Sequence, residues 1–265
     1  ESGYTELYNG GRTLKLPPNI AVFTRSPTTG HSIPRSEGVN VLSVVSLAFD
    51  SKTQPDFRFY YNAYSVVNDI SDSQEAVRDV RNRVVRIFAK IWACAAQHGF
   101  ERVSLSLFGA SAFAMRFQRF AVDCYAPALA SSLHLIPQCV KAVGVLNHDY
   151  IIKRRGSGSA VADNAAEALT SVANLVKKQG LAFYTELGIP AAYDDAYRRG
   201  LLSKTLYVNA WDPHSLVGNG NAGDNSLDGY IGRTTAVMSP SWPMTNPSLL
   251  DKLFLVELKT QEKRR

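Results

Sequence analysis

The sequence predicts a layered α/β domain, and three observations predict it. Short apolar runs rich in Val, Leu and Phe recur along the 265 residues. Segments with apolar residues at helical spacing separate those runs. Polar turns containing glycine follow two of the runs at once, as they do where a strand hands over to a loop. Hydrophobic residues make up 45% of the chain and charged residues 20%, enough apolar material for a core and too little charge for a disordered chain. The length fits one large domain or one domain with a small appendage.

Residues 1–38 are rich in Gly, Pro, Ser and Thr and read as an irregular lead-in, with the domain proper spanning 39–265. Residues 39–49 (VNVLSVVSLAF) read as a buried strand. Residues 56–64 (DFRFYYNAY) are aromatic and alternating, which predicts a second strand. The clearest helix follows. Ser71 or Ser73 caps it, Glu75 sits in its first turn, and Val77, Val80, Val84, Ile87, Phe88 and Ile91 hold one face until Gly99 ends it. Residues 103–108 read as a strand, 117–133 as a helix and 141–146 as a strand. Residues 162–178 form an alanine-rich helix, 191–199 another, and 202–208 a final strand that runs into the polar segment 209–232.

The longest apolar runs are far short of a membrane span, and the amino end has no leader pattern. Three cysteines, Cys94, Cys124 and Cys139, form no CxxC pair and read as free thiols in a soluble protein of a reducing compartment. The net charge is +6, which favours anionic partners. Arg78, Arg81, Arg83 and Arg86 share mainly helical spacing and read as a solvated face.

In sheets of this class, ligands sit beyond the carboxyl ends of strands. That rule points to two loops. The first is Gly109, Ala110, Ser111, Ala112, Phe113 and Ala114, which leaves a strand towards a helix with Arg116 and Arg119 behind it. Small residues let backbone amides approach a ligand closely, and a helix amino terminus favours an anion. The second is residues 209–232, with three aspartates, four asparagines and five glycines. A stretch this polar builds no core, and its position after a strand favours a functional loop.

The second loop carries a resemblance. Val208, Asn209, Ala210, Trp211 and Asp212 resemble the Asn-Ala-Ala-Asn strand end of macrodomains. Gly218, Asn219, Gly220 and Asn221 are similar to their glycine-rich stretch, and Asp228 with Gly229 to the Asp-Gly pair that opens a helix. Residues 74–114 follow the macrodomain order of helix, strand and phosphate loop, with Phe113 in the aromatic place. Two features depart from the pattern. The Asn-Ala element follows the phosphate loop instead of preceding it, which implies a circular permutation or a rebuilt fold. Ser111 and Ala114 stand where macrodomains have glycine. The string NAWDPHSLVGNGNAGDNSLDG more closely resembles the MavL family of Legionella-type effectors, divergent macrodomains that remove ADP-ribose from arginine.

The resemblance implies a macrodomain-like three-layer α/β fold that binds ADP-ribose. Asn209, Gly218, Asn219, Gly220, Asn221, Gly229, Gly109, Ala110, Ser111, Ala112 and Phe113 would form the ligand site. The partner would be an ADP-ribosylated protein, met after secretion into a host cytosol. On this reading Gly109→Val abolishes ADP-ribose binding in a folded domain. Cleaving the glycosidic C–N bond passes through an oxocarbenium-like state, and carboxylates serve it by handling a proton or water and by stabilising positive charge. Asp212, Asp224 and Asp228 supply that set without a metal or cofactor. Asp212 is assigned to the distal ribose or the attacking water, Asp228 to ligand orientation and Asp224 to the leaving guanidinium. Each has a plainer role beside it: Asp212 as a turn former before Pro213, Asp228 as a helix cap.

The polar loop lacks the residue order of a calcium loop, and His31, His98, His134, His148 and His214 show no ligand pairing. A Ser-His-Asp triad lacks its Gly-x-Ser-x-Gly elbow. Two functions therefore compete, an ADP-ribosylhydrolase and a non-catalytic ADP-ribose reader. A nucleic-acid module is a weaker third, because the basic residues lack aromatic interleaving.

Overall fold

The computed structural model describes residues 21–28, 34–110, 112–146, 160–186 and 189–211. Six strands form one sheet in the order β1-β2-β6-β3-β4-β5. They are β1 (Ala21–Thr28), β2 (Pro34–Val45), β3 (Arg102–Leu105), β4 (Ala142–Val145), β5 (Ala182–Tyr184) and β6 (Thr205–Trp211). Only the β1–β2 pair is antiparallel, so five strands run the same way. The segment read as a lead-in is corrected here: β1 lies inside it, and β2 begins at Pro34 rather than at residue 39. Glycine, proline and polar residues hid a strand that sits at the sheet edge, where one face of the pairing is all that must be satisfied.

Among the described residues five α-helices accompany the sheet: α1 (Pro55–Tyr64), α2 (Gln74–His98), α3 (Ala126–Ser132), α4 (Ala160–Lys178) and α5 (Ile189–Arg198). The strand expected at 56–64 is α1. Pro55 opens it, and Phe57, Tyr60 and Tyr64 turn towards the core at helical spacing. Aromatic alternation and an amphipathic helix share residues here, and the helical face is the one that buries Phe57 and Tyr60. The Ser73 side chain caps α2, and Gly99 closes it in the left-handed region with φ of 67°. Val80, Val84, Ile87, Phe88, Ile91 and Trp92 are buried along its inner face. Full burial of such side chains stabilises by about 1.5–3 kcal/mol each, before the opposing entropy, so this helix anchors the core.

Strand alternation divides the core. Leu42, Val44, Val103, Leu105, Leu206 and Val208 face α2, α3 and α4. Val41 and Tyr207 point to the other face, where Ala192, Tyr193 and Ala196 of α5 cover them. Helices therefore lie on both faces, a three-layer α/β arrangement. A polar cluster locks α5 in place. Arg102 pairs with Asp195 at 2.9 Å and lies 4.3 Å over the Tyr184 ring, whose hydroxyl shares a 2.6 Å hydrogen bond with Ser104. Gly144 has no side chain where the Tyr184 ring sits. Partial burial pushes the Asp195 carboxyl up, but hydrogen bonds from Arg199 and Arg102 outweigh it and hold it below the usual range. An interior pair of this kind adds little net stability over apolar contact, so its effect is to fix where α5 sits.

The helix expected at 117–133 begins later and irregularly. A π-helical turn (Ala121–Tyr125) leads into α3, and a 3-10 turn (Leu133–Leu135) ends it. Cys94 and Cys124 are buried free thiols, Cys139 is half-buried, and burial pushes the Cys94 thiol up to about 12. Among the described residues no helix is long and apolar enough to cross a membrane.

Candidate functional site

β6 is the central strand of the site. It pairs with β3 through Leu105 and Val208, and with β2 through Val45 and Trp211. Beyond Val208 it therefore continues against β2 alone, while the chain after β3 turns away. The Ser106 N–H still reaches the Val208 carbonyl at 3.2 Å, but the Ser106 carbonyl accepts from the Tyr125 hydroxyl at 2.8 Å. The sheet splits at this point. Asn209, Ala210 and Trp211 line one side of the split, and the turn containing Gly109 leaves the other. The strand before Gly109 and the strand that carries Asn209 are thus parallel neighbours, and their carboxyl ends lie at the same side of the sheet.

The Gly109 turn is tight. The Ala110 N–H donates to the Leu107 carbonyl at 3.1 Å, and Gly109 has φ of 75°. Positive φ at the third position of such a turn favours glycine. A Cβ there would collide with the Ser46 side chain and with the Phe120 ring. Ala110 is half-buried against the core, and Ala112 belongs to a 3-10 turn (Ala112–Ala114). Phe113 is half-buried and its carbonyl accepts from Phe49 N–H at 2.7 Å. Phe49 returns the contact, its carbonyl accepting from Arg116 N–H at 2.9 Å.

This geometry changes the expectation for the first loop in two ways. No helix starts at its end, because residues 115–120 intervene before the π-turn, so a helix terminus does not support an anion there. The Ala110 amide is also spent inside the turn rather than offered to a ligand. Arg116 is exposed, and Arg119 is held by Asp123 through bonds of 3.0 and 3.1 Å.

A third loop, residues 46–50 after β2, was missed in the sequence and belongs to the same edge. The hydroxyls of Ser46, just past β2, and Ser106, just past β3, are both buried without a hydrogen-bond partner among the described residues. They flank β6 on its two sides. A buried hydroxyl left unpaired costs about 1–3 kcal/mol. Serine in a strand end is too common to have signalled this. Asn209 is 2% exposed and lies one residue past the last β3–β6 pair.

The structure thus places Gly109, Ala110, Ala112 and Phe113 in the segment after β3, and Asn209 on the neighbouring strand β6. Ser111, Asp212, Gly218, Asn219, Gly220, Asn221, Asp224, Asp228 and Gly229 lie outside the described residues. Compared with known proteins, the chain matches no family model and no curated protein.

Proposed function

We propose that the chain is an ADP-ribosylhydrolase whose ligand lies across the split between β3 and β6, with arginine-linked ADP-ribose on a modified protein as substrate. The observation that supports the reading is that β3, which precedes Gly109, and β6, which carries Asn209, are adjacent parallel strands ending at the same side of the sheet. On this reading the diphosphate lies beside the Gly109 turn, Phe113 sits beside a ribose, and Asn209 orients the distal sugar. Ser46 and Ser106 add hydroxyls that neither loop motif contains. Asp212 is the next residue after Trp211, so the proposed carboxylate chemistry starts where β6 ends.

Calorimetry with ADP-ribose, AMP and NAD tests the ligand class. ADP-ribose is expected to bind with Kd on the order of 1 μM, about −8 kcal/mol, with AMP and NAD weaker by roughly tenfold or more. A folded protein that binds AMP as well as ADP-ribose, or neither, removes the proposal.

A further inference from the structure

We propose a second anion site in the cavity between α2 and the π-turn, built to take a phosphate group. The cavity, of about 520 Å³, is lined by Ser71, Gln74, Arg78, Arg81, Arg119 and Asp123, with Val77 at its wall. Asp123 is bound to Arg119 and neutralises it. Arg81 uses its Nε–H on the Asp123 carbonyl at 2.8 Å, a backbone oxygen presented by the π-turn. Neither Arg78 nor Arg81 pairs with a carboxylate among the described residues. Asp69 and Asp72, in the turn before α2, are occupied locally: Asp69 accepts from Ser71 and Asp72 from the backbone of Asn68 and Asp69.

Two unneutralised guanidinium groups on successive turns of one helix, facing one cavity, present a charge of +2. That matches a phosphate dianion, whose oxygens accept the forked donors of arginine. Ser71 and Gln74 add neutral polar groups at the rim. The neighbouring Arg83 is different: it pairs with Asp79 at 2.9 Å and lies 4.9 Å over the Phe59 ring. The arginines spaced along α2 are therefore not one solvated face. Arg83 secures α1, whereas Arg78 and Arg81 are left to a ligand.

Inorganic pyrophosphate is the probe. Calorimetry at fixed ionic strength compares wild type, Arg78→Gln with Arg81→Gln, and Gly109→Ala. The double variant is expected to weaken pyrophosphate binding by at least roughly tenfold, the loss of two charge-assisted contacts. Its ADP-ribose affinity stays within about twofold, because the strand-edge site is separate. Adding orthophosphate or a phosphoserine peptide as competitor tells whether free or protein-borne phosphate is preferred. Either outcome supports the site provided the double variant loses the competition. With the strand-edge site filled by saturating ADP-ribose, pyrophosphate binding that survives in the double variant, or that only Gly109→Ala weakens, overturns the proposal. So does pyrophosphate heat that disappears in wild type at 0.15 M salt, on the order of physiological ionic strength. Circular dichroism of the double variant shows whether it is folded. If it is not, Arg78→Lys replaces it and is expected to lose forked binding while keeping the charge.

Discussion

Gly109→Val is expected to destabilise the whole domain by about 2–6 kcal/mol, rather than to remove ligand binding from an intact fold. Two effects add. A residue with a Cβ held at φ of 75° is strained by roughly 1–3 kcal/mol, and more for a β-branched one. The side chain would also enter space already filled by Ser46 and the Phe120 ring, and overpacking of this kind costs about 1–3 kcal/mol. The turn cannot yield easily, because Phe108 is buried beside it against Phe88 and Tyr125, with ring centroids 5.2 and 5.1 Å apart. Urea unfolding is expected to show a lower midpoint at an unchanged slope. A midpoint equal to wild type shows that the turn is looser than described and restores Gly109 as a purely functional position. Gly109→Ala keeps the strain and gives a smaller, measurable loss.

Asp212→Ala and Asp228→Ala are expected to slow release of ADP-ribose from an arginine-modified protein by roughly 10²–10⁴-fold, the usual contribution of a proton-transferring or charge-stabilising group. Free ADP-ribose should lose much less affinity, since the diphosphate and adenine keep their contacts. Asp224→Ala is expected to act similarly on arginine-linked substrate and to spare substrates joined through other atoms. Single-turnover release from arginine-, glutamate- and serine-linked substrates reads all three variants. If wild type binds ADP-ribose tightly and releases it from none of them, the chain is a reader. If only the glutamate-linked substrate is cleaved, the hydrolase reading stands and the arginine preference falls.

Much of the framework was legible because its signals are local. α2 could be bounded to within a residue or two by Ser73, the buried row from Val80 to Ile91, and Gly99. β3, β4 and β6 could be placed because they are short, doubly buried and apolar. α1 was illegible because Phe57, Phe59 and Tyr61 alternate as a strand would, while Phe57, Tyr60 and Tyr64 define the helix. Tertiary contact of Tyr60 with Phe49, at 5.7 Å between rings, selects the second pattern. β5 escaped because it has three residues, none of them fully buried. At the site, the expectation that the strand before Gly109 neighbours the strand leading to Asn209 agrees with the pairing of β3 with β6. The part played by residues 46–50 did not, because it depends on β6 inserting between β2 and β3, a long-range choice that no local pattern records. The same is true of Ser46 and Ser106, whose isolation exists only in the folded chain.

Hydrogen–deuterium exchange with and without saturating ADP-ribose tests the central claim most directly. Slowed exchange is expected together in peptides covering 46–50, 106–114 and 207–216, with little change around Arg78 and Arg81. Protection confined to the Arg78 and Arg81 region, or unchanged exchange in either the 106–114 or the 207–216 peptide while ADP-ribose is bound, would contradict a ligand seated across the split between β3 and β6.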